Sequence, residues 1–381
     1  MSLRIGVLHE TQAGEHRVAI VPDIVSRLKG LGADVIVQKD AGVAAGIPDA
    51  AFGEASTGVA AAEILNTADV LLKVQPPTLD EVAALREGAT VVGFMQPHTG
   101  DERVRALCNR RVTAFAMELV PRISRAQSMD ALSSQAAVGG YKAALIAANT
   151  LDKFFPMLTT AAGTIRPAKV LVIGAGVAGL QAIATARRLG AVVEGYDVRA
   201  ATREQVESLG ARFVDTGVSA EGEGGYAREL TGEEKGRQQE VLEKHIAEAD
   251  AVITTAAVPG RPAPRIISRA AVGRMKAGSV IVDLAAESGG NCELTRAGET
   301  IESGGVRIVG PVNLPSQLAR HASEMYARNL FNFLKPAIAD GRFEIDWEDE
   351  VFAGSALTHE GEIRDAATRE RMEAAEKGAP A

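Results

Sequence analysis

Three glycines and one acid carry the clearest chemistry in this chain. Gly174, Gly176 and Gly179 form GxGxxG, and Asp197 follows 23 positions after the first of them. In such a motif the first glycine allows a tight turn. The second lets the backbone approach a pyrophosphate, and the third lets a helix pack closely on the preceding strand, so that phosphate oxygens meet the helix N-terminus. Ala175 and Val177 belong to the same loop. A carboxylate at Asp197 would accept hydrogen bonds from both hydroxyls of an adenosine ribose and repel a 2′-phosphate, which favours NAD(H) over NADP(H). Val198 follows it directly, and Arg199 and Arg203 soften the preference. A glycine turn in an ordinary βα unit is the plain structural alternative, and the surrounding elements decide against it.

Those elements come in the required order. Residues 168–173 read as a buried parallel strand, 177–189 as an amphipathic helix, and 192–196 as a second strand that ends on the acid. Further strands at 211–214, 250–254, 279–283 and 306–309 complete a six-strand Rossmann sheet. The first 120 residues alternate apolar runs at 3–7, 35–37, 70–74, 90–94 and 112–116 with helical patterns, predicting a five-strand α/β domain. Polar residues follow its strands: His9, Glu10, Arg17, Lys73, Gln75, Gln96 and His98. Ligands of open parallel sheets bind at these carboxyl ends.

A helical stretch from about Asp130 to Phe155 joins the halves. After Pro311 come a long helical pattern over 315–339 and short strands around turns. This tail exceeds what the second sheet needs and is assigned back to the first. The expected fold is therefore α/β, with two Rossmann-like doubly wound parallel-sheet domains separated by a cleft. One comprises residues 1–130 plus 315–381, and the other is the NAD-binding domain over 131–314. Residues 370–381, charged and alanine-rich, read as a frayed end.

A length of 381 residues suits two cores, since single cores seldom exceed about 250–300 residues. The chain is 46% hydrophobic and 24% charged, with net charge −8, and it has no basic footprint for nucleic acid. It opens with MSLRIGVLHE, straight into a strand, with no signal or transit peptide visible, so a cytoplasmic location is expected. The longest apolar stretch, 170–186, is broken by glycines and belongs to the nucleotide fold, so no membrane insertion is expected. Cys108 and Cys292 lie far apart without a Cys/His cluster, and no metal site is expected. Between the third Rossmann strand and the next helix, TGVSAEGEGGYARELTG (216–232) is long for a βα loop. It reads either as an insertion or as a lid over the cofactor, with Tyr226 as its one large residue that could stack there.

The segment PRISRAQSMDALSSQ (121–135) fits no general motif. Together with AAGT (161–164), GVAGLQAIATARRLGA, DVRAATREQVESLGA, EGGYARE, AVPGRPAP and IVDLAAESGGN, it resembles the NAD(H)-binding component of proton-translocating NAD(P) transhydrogenases, along nearly the whole chain. The related alanine dehydrogenases share the plan. The resemblance implies an enzyme component of the Si-to-Re, proton-translocating type. It would bind NAD(H) and exchange hydride with NADP(H) held on a partner subunit, beside a membrane-spanning subunit, as a homodimer at the cytoplasmic face of the inner membrane. It places Arg122, Gln127, Asp130 and Ser133 at the nicotinamide end, and Val177, Asp197, Arg199, Gly225, Tyr226, Gln238 and Ala257 among the cofactor contacts. Locally, Arg122 and Asp130 also read as an ion pair, Gln127 as a helix cap, and Asp130 or Ser133 as an N-cap. His245 and His321 read as surface or packing residues.

Alanine dehydrogenases bind pyruvate through an arginine and a lysine and use a histidine as acid/base. Arg17 and Lys73 match the first two positions, but the histidine position holds Gln96, with His98 displaced by two residues, and Glu287 replaces an aspartate. An amide has no accessible pKa near about 7 and cannot shuttle protons. Amino-acid dehydrogenation needs such a shuttle and exchange between two nicotinamides does not, so the residues favour the transhydrogenase. An alanine dehydrogenase and a non-catalytic NAD(H)-sensing module remain the alternatives.

Overall fold

The computed structural model describes residues 2–53, 55–219, 230–257, 260–376 and 378. Contacts divide the chain into two units, Met1–Gln135 with Ser316–Ala381, and Ala136–Pro315. The boundary falls inside the helix Ala131–Thr150. Among the described residues no helix is long and apolar enough to cross a membrane.

The first unit begins with β1 (Arg4–Val7), β2 (Asp34–Gln38), β3 (Ser56–Val59), β4 (Val70–Leu72), β5 (Thr90–Gly93) and β6 (Thr113–Ala116). They pair in parallel in the order β6-β5-β4-β1-β2-β3. This is the doubly wound order, with its switch point between β1 and β4. β4, β5 and β6 are buried at every residue, as strands covered on both faces must be. The sequence predicts five of these strands. β3 escapes notice because STGV is short and Gly58, at φ +76°, breaks its alternation where the register to β2 shifts.

In the second unit the rest of the Ala131–Thr150 helix leads to an exposed hairpin, β7 (Leu158–Thr160) and β8 (Gly163–Ile165). Its sheet contains β9 (Lys169–Ile173), β10 (Val192–Tyr196), β11 (Arg212–Phe213), β12 (Ala251–Thr254), β13 (Val280–Asp283), β14 (Thr300–Ser303) and β15 (Val306–Val309). The order is β11-β10-β9-β12-β13-β15-β14, with only β14 antiparallel. The six parallel strands repeat the doubly wound order, and the switch point lies between β9 and β12. β14 corrects the six-strand expectation. Gly304 and Gly305 both have positive φ and form the two-residue turn that folds TIES back on VRIV.

Residues 316–381 add β16 (Ile338–Ala339), β17 (Arg342–Phe343), β18 (Ala356–His359) and β19 (Glu362–Ile363). β18 runs antiparallel to β6 and β19 to β18, so the first unit's sheet has eight strands among the described residues. Aromatic packing explains why this segment belongs there. Phe115 on β6 meets Phe333 at 5.2 Å and Phe352 at 5.8 Å between centroids, and Phe333 meets Phe352 at 5.1 Å. Each such pair contributes about 0.5–1.5 kcal/mol beyond its burial. Both units are Rossmann-like α/β folds.

Candidate functional site

In the second unit the glycine motif sits at the switch point. Gly174 follows β9 at φ +98°, a conformation that disfavours side chains, and its N–H donates to Tyr196 O at 2.8 Å. Thr255 Oγ1, just beyond β12, donates to Gly174 O at 3.0 Å and ties the two strand ends together. A Cβ on Gly179 would lie 1.7 Å from Gly174 O, so only glycine lets the Val177–Arg188 helix start this close to β9. Gly140 plays the same part for the helix behind it, where a Cβ would lie 2.0 Å from Ala178 O. Gly176 differs: a Cβ there would meet nothing within 4 Å. The first N–H groups of the Val177–Arg188 helix have no acceptor within the helix, and no acidic side chain occupies its first turn. Open space over a helix N-terminus fits a pyrophosphate.

Asp197 ends β10 and is 8% exposed. Its Oδ1 accepts from Arg199 N at 2.9 Å and Arg199 Nε at 2.8 Å; its Oδ2 accepts from Ala175 N and Arg199 Nη2, both at 2.7 Å. Val198 is half-buried against the apolar cluster that includes Tyr196. Burial raises the Tyr196 phenol above its ordinary range, and Gln238 Nε2 donates to its hydroxyl at 2.7 Å. Gln238 lies on the Gly232–Glu248 helix, which a Thr231–Glu234 capping box begins. Ala257 is exposed just beyond β12. Gly225 and Tyr226 lie outside the described residues.

A buried polar network supports the neighbouring strand ends. Asp283, at the end of β13 and fully buried, accepts from Thr254 Oγ1, Ala285 N, Cys292 N and Thr295 Oγ1 at 2.6–3.1 Å. Asn291, also fully buried, accepts from Ala256 N and donates to Ala256 O and Pro264 O. Gly289 and Gly290, both at positive φ, turn the chain so that this amide points inward.

In the first unit, Ser124–Met129 forms a 3-10 turn with Ala126 and Met129 buried. Asn329 and Asn332, on the helix Ala319–Leu334, donate to Ser128 O at 2.9 and 3.1 Å, and Arg125 forms a two-pronged ion pair with Asp349. Asp130 is the cap of the following helix: its Oδ1 accepts from Ser133 N at 2.8 Å and its Oδ2 from Ser133 Oγ at 2.6 Å. Gln127 is exposed on this anchored turn, and Arg122 is exposed two residues before it.

The ends of β1 and β4 hold a compact ion cluster. Arg17 forms a bidentate pair with Glu15 and donates to Gln135 Oε1, while Gln75 Nε2 donates to Glu15 Oε2. Burial would raise the Glu15 carboxyl, but hydrogen bonds and charge from Arg17, with help from Gln75, hold it at about 2. Lys73 Nζ lies 3.1 Å from Glu10 and 3.2 Å from Glu81. Glu10 itself is raised by burial, against the pull of Lys73. After β5, Gln96 takes φ +49°, and its N–H donates to Glu118 Oε1 at 2.8 Å. Its side chain and that of His98 are both exposed.

Two family models match: Alanine dehydrogenase/PNT, N-terminal domain, over residues 6–139, and Alanine dehydrogenase/PNT, C-terminal domain, over residues 143–366. The chain belongs to the alanine dehydrogenase/PNT family. It is 48% identical over 374 residues to an NAD(P) transhydrogenase alpha-subunit chain of Rhodospirillum rubrum, covering 95% of this chain and 97% of that one. A crystal structure of transhydrogenase from Sinorhizobium meliloti matches with TM-score 0.86 at 47% identity, covering 94% of this chain and 99% of that one. An alanine dehydrogenase of Halomonas elongata is 29% identical over 376 residues, covering 95% and 94%.

In this member of the alanine dehydrogenase/PNT family, the glycine motif and Asp197 can be read from the sequence as candidates. Gly140, Thr255, Arg125 and Glu118 cannot. Asp283 and Asn291 stood in IVDLAAESGGN without a role; a buried Asp and Asn flanking a Gly-Gly pair was the available signal. The family's C-terminal model extends over 316–366, although those residues pack with the first unit.

Proposed function

We propose that this chain is the NAD(H)-binding component of a proton-translocating NAD(P) transhydrogenase. It exchanges hydride with NADP(H) held on a partner subunit, and a membrane-spanning subunit completes the assembly, with two copies of this chain forming a homodimer at the membrane's cytoplasmic face. The observation that carries the reading is the 48% identity, along 95% of the chain, to a protein named as a transhydrogenase alpha subunit. The glycine loop fits the ligand: Gly174, Ala175, Gly176 and the helix start at Val177 receive the pyrophosphate, and Asp197 receives the adenosine ribose. The resemblance assigns the nicotinamide end to Arg122, Gln127, Asp130 and Ser133, and further contacts to Val198, Arg199, Gly225, Tyr226, Gln238 and Ala257.

Hydride transfer is the chemistry a nicotinamide supplies. The protein's residues contribute positioning and exclusion of water. The Asp130 cap and the Asn329, Asn332 and Arg125 anchors hold the turn from which Gln127 projects. Against an amino-acid dehydrogenase stands Gln96, an amide with no titrating group at the acid/base position; Arg17 and Lys73 suit either reading.

The test mixes the purified chain with an NADP(H)-binding transhydrogenase component and follows NADH-dependent reduction of an NADP analogue. Exchange supports the proposal. Steady NADH oxidation with pyruvate and ammonia by the chain alone would identify an alanine dehydrogenase, and NADH binding without either reaction would identify a sensing module.

A further inference from the structure

The carboxylate of Asp197 offers about four lone-pair directions, and four donors fill them. Two are backbone N–H groups, Ala175 on Oδ2 and Arg199 on Oδ1, fixed by the glycine loop and the end of β10. The other two, Arg199 Nη2 on Oδ2 and Nε on Oδ1, belong to one guanidinium on a flexible stem. Lifting that guanidinium opens one acceptor on each oxygen, and such a pair matches the two hydroxyls of a ribose 2′,3′-diol. Arg203 is held elsewhere, pairing with Asp215 and lying 4.9 Å over the Phe213 ring.

We propose that Arg199 is a latch on the ribose site: it occupies the diol acceptors of Asp197 and must be displaced by NAD(H), and once displaced it can grip a 2′-phosphate. The latch would make Arg199 a specificity-determining residue with two opposed effects. It lowers affinity for an unphosphorylated ribose, because the ligand competes with an intramolecular ion pair. It also moderates the rejection of a 2′-phosphate, for which a guanidinium is a bidentate donor. A residue that merely lined the adenosine pocket would raise affinity for both ligands. The inference rests on the NAD(H)-binding reading above.

Titrations of the full chain with NADH, NADPH, 5′-AMP and 2′,5′-ADP test it, using wild type, Arg199→Ala, Arg199→Gln, Asp197→Asn and the Asp197→Asn/Arg199→Ala double variant. Both Arg199 variants should bind NADH and 5′-AMP about three- to tenfold tighter, and the NADPH-to-NADH Kd ratio should rise by about tenfold. In the Asp197→Asn background, Arg199→Ala should no longer tighten NADH binding. Weaker or unchanged NADH binding by both Arg199 variants, with thermal melting intact, overturns the latch while leaving the NAD(H) reading in place. Failure of the wild type to bind NADH or 5′-AMP overturns both.

Discussion

Asn291 pairs with both backbone groups of Ala256: its Oδ1 accepts the N–H at 3.0 Å and its Nδ2 donates to the carbonyl at 2.7 Å. Ala256 lies just past β12 at the switch point, beside Ala257. One buried side chain therefore sets the path of the backbone that leaves the candidate site. Asn291→Leu keeps the branched heavy-atom shape but strands the Ala256 N–H, the Ala256 carbonyl and the Pro264 carbonyl. At about 1 kcal/mol for each group that water can partly reach, the expected loss is about 3 kcal/mol. Calorimetry should show a Tm lowered by about 6–12 °C, and NADH titration should show weaker binding. Normal NADH affinity in the destabilised variant would remove this backbone from the site.

Asp130 is a helix cap as well as a candidate site residue, so its variants need separating. Asp130→Ala loses the bond to Ser133 N and should cost about 1 kcal/mol of stability. Asp130→Asn keeps an accepting oxygen and most of that stability. Urea denaturation of the two reads the cap apart from any kinetic effect.

Gln127 is exposed on the Ser124–Met129 turn. Gln127→Asn should leave melting unchanged within about 0.5 kcal/mol, as exposed substitutions do. It should slow hydride exchange with the NADP(H)-binding component far more than it weakens NADH binding. Equal losses in both would sink the positioning role.

The legible parts of this chain were those where local pattern and tertiary demand coincide. β9 and β10 are apolar runs bounded by glycine and acid, so their place and end residues could be read directly. β3 and β14 could not, because each is short, partly exposed and defined by pairing with a neighbour. The same reason hides the polar supports. Nothing local marks Asn291 as a partner of Ala256, 35 positions away, or Glu118 as the acceptor for the Gln96 N–H, 22 positions away. For Gln238 the resemblance implies a ligand contact, whereas the fold shows a bond to the Tyr196 hydroxyl, 42 positions away.

The two later glycines of the motif should fail in different ways. A Cβ at Gly179 would sit 1.7 Å from Gly174 O, and the clash is with backbone that cannot swing aside. Gly179→Ala should therefore lower stability by about 3 kcal/mol or more, within the range for overpacked sites. At Gly176 φ is −78°, ordinary for any residue, and a Cβ meets nothing within 4 Å. Gly176→Ala should melt like wild type yet lose NADH affinity, because the methyl group stands where a pyrophosphate must approach. A Gly176→Ala protein that binds NADH normally would place the pyrophosphate elsewhere.

The ion cluster at β1 and β4 predicts the shape of acid unfolding. Glu15 titrates at about 2 in the folded chain against an ordinary 4.5, because the Arg17 and Gln75 contacts outweigh its burial. A carboxyl depressed on folding contributes stability that is present above its unfolded value and lost as pH falls through its folded value. For Glu15 the loss therefore runs from about pH 4.5 down to about pH 2. The contribution at about pH 7 is about 3 kcal/mol. Glu10, raised by burial, works in the opposite sense: its contribution declines as pH rises above the ordinary glutamate range. Glu15→Gln removes the charge but leaves an oxygen for Arg17. Urea midpoints measured across this range should put Glu15→Gln below wild type at neutral pH and bring the two together near about pH 2. Two parallel curves would show that the Arg17 contact does not depress Glu15.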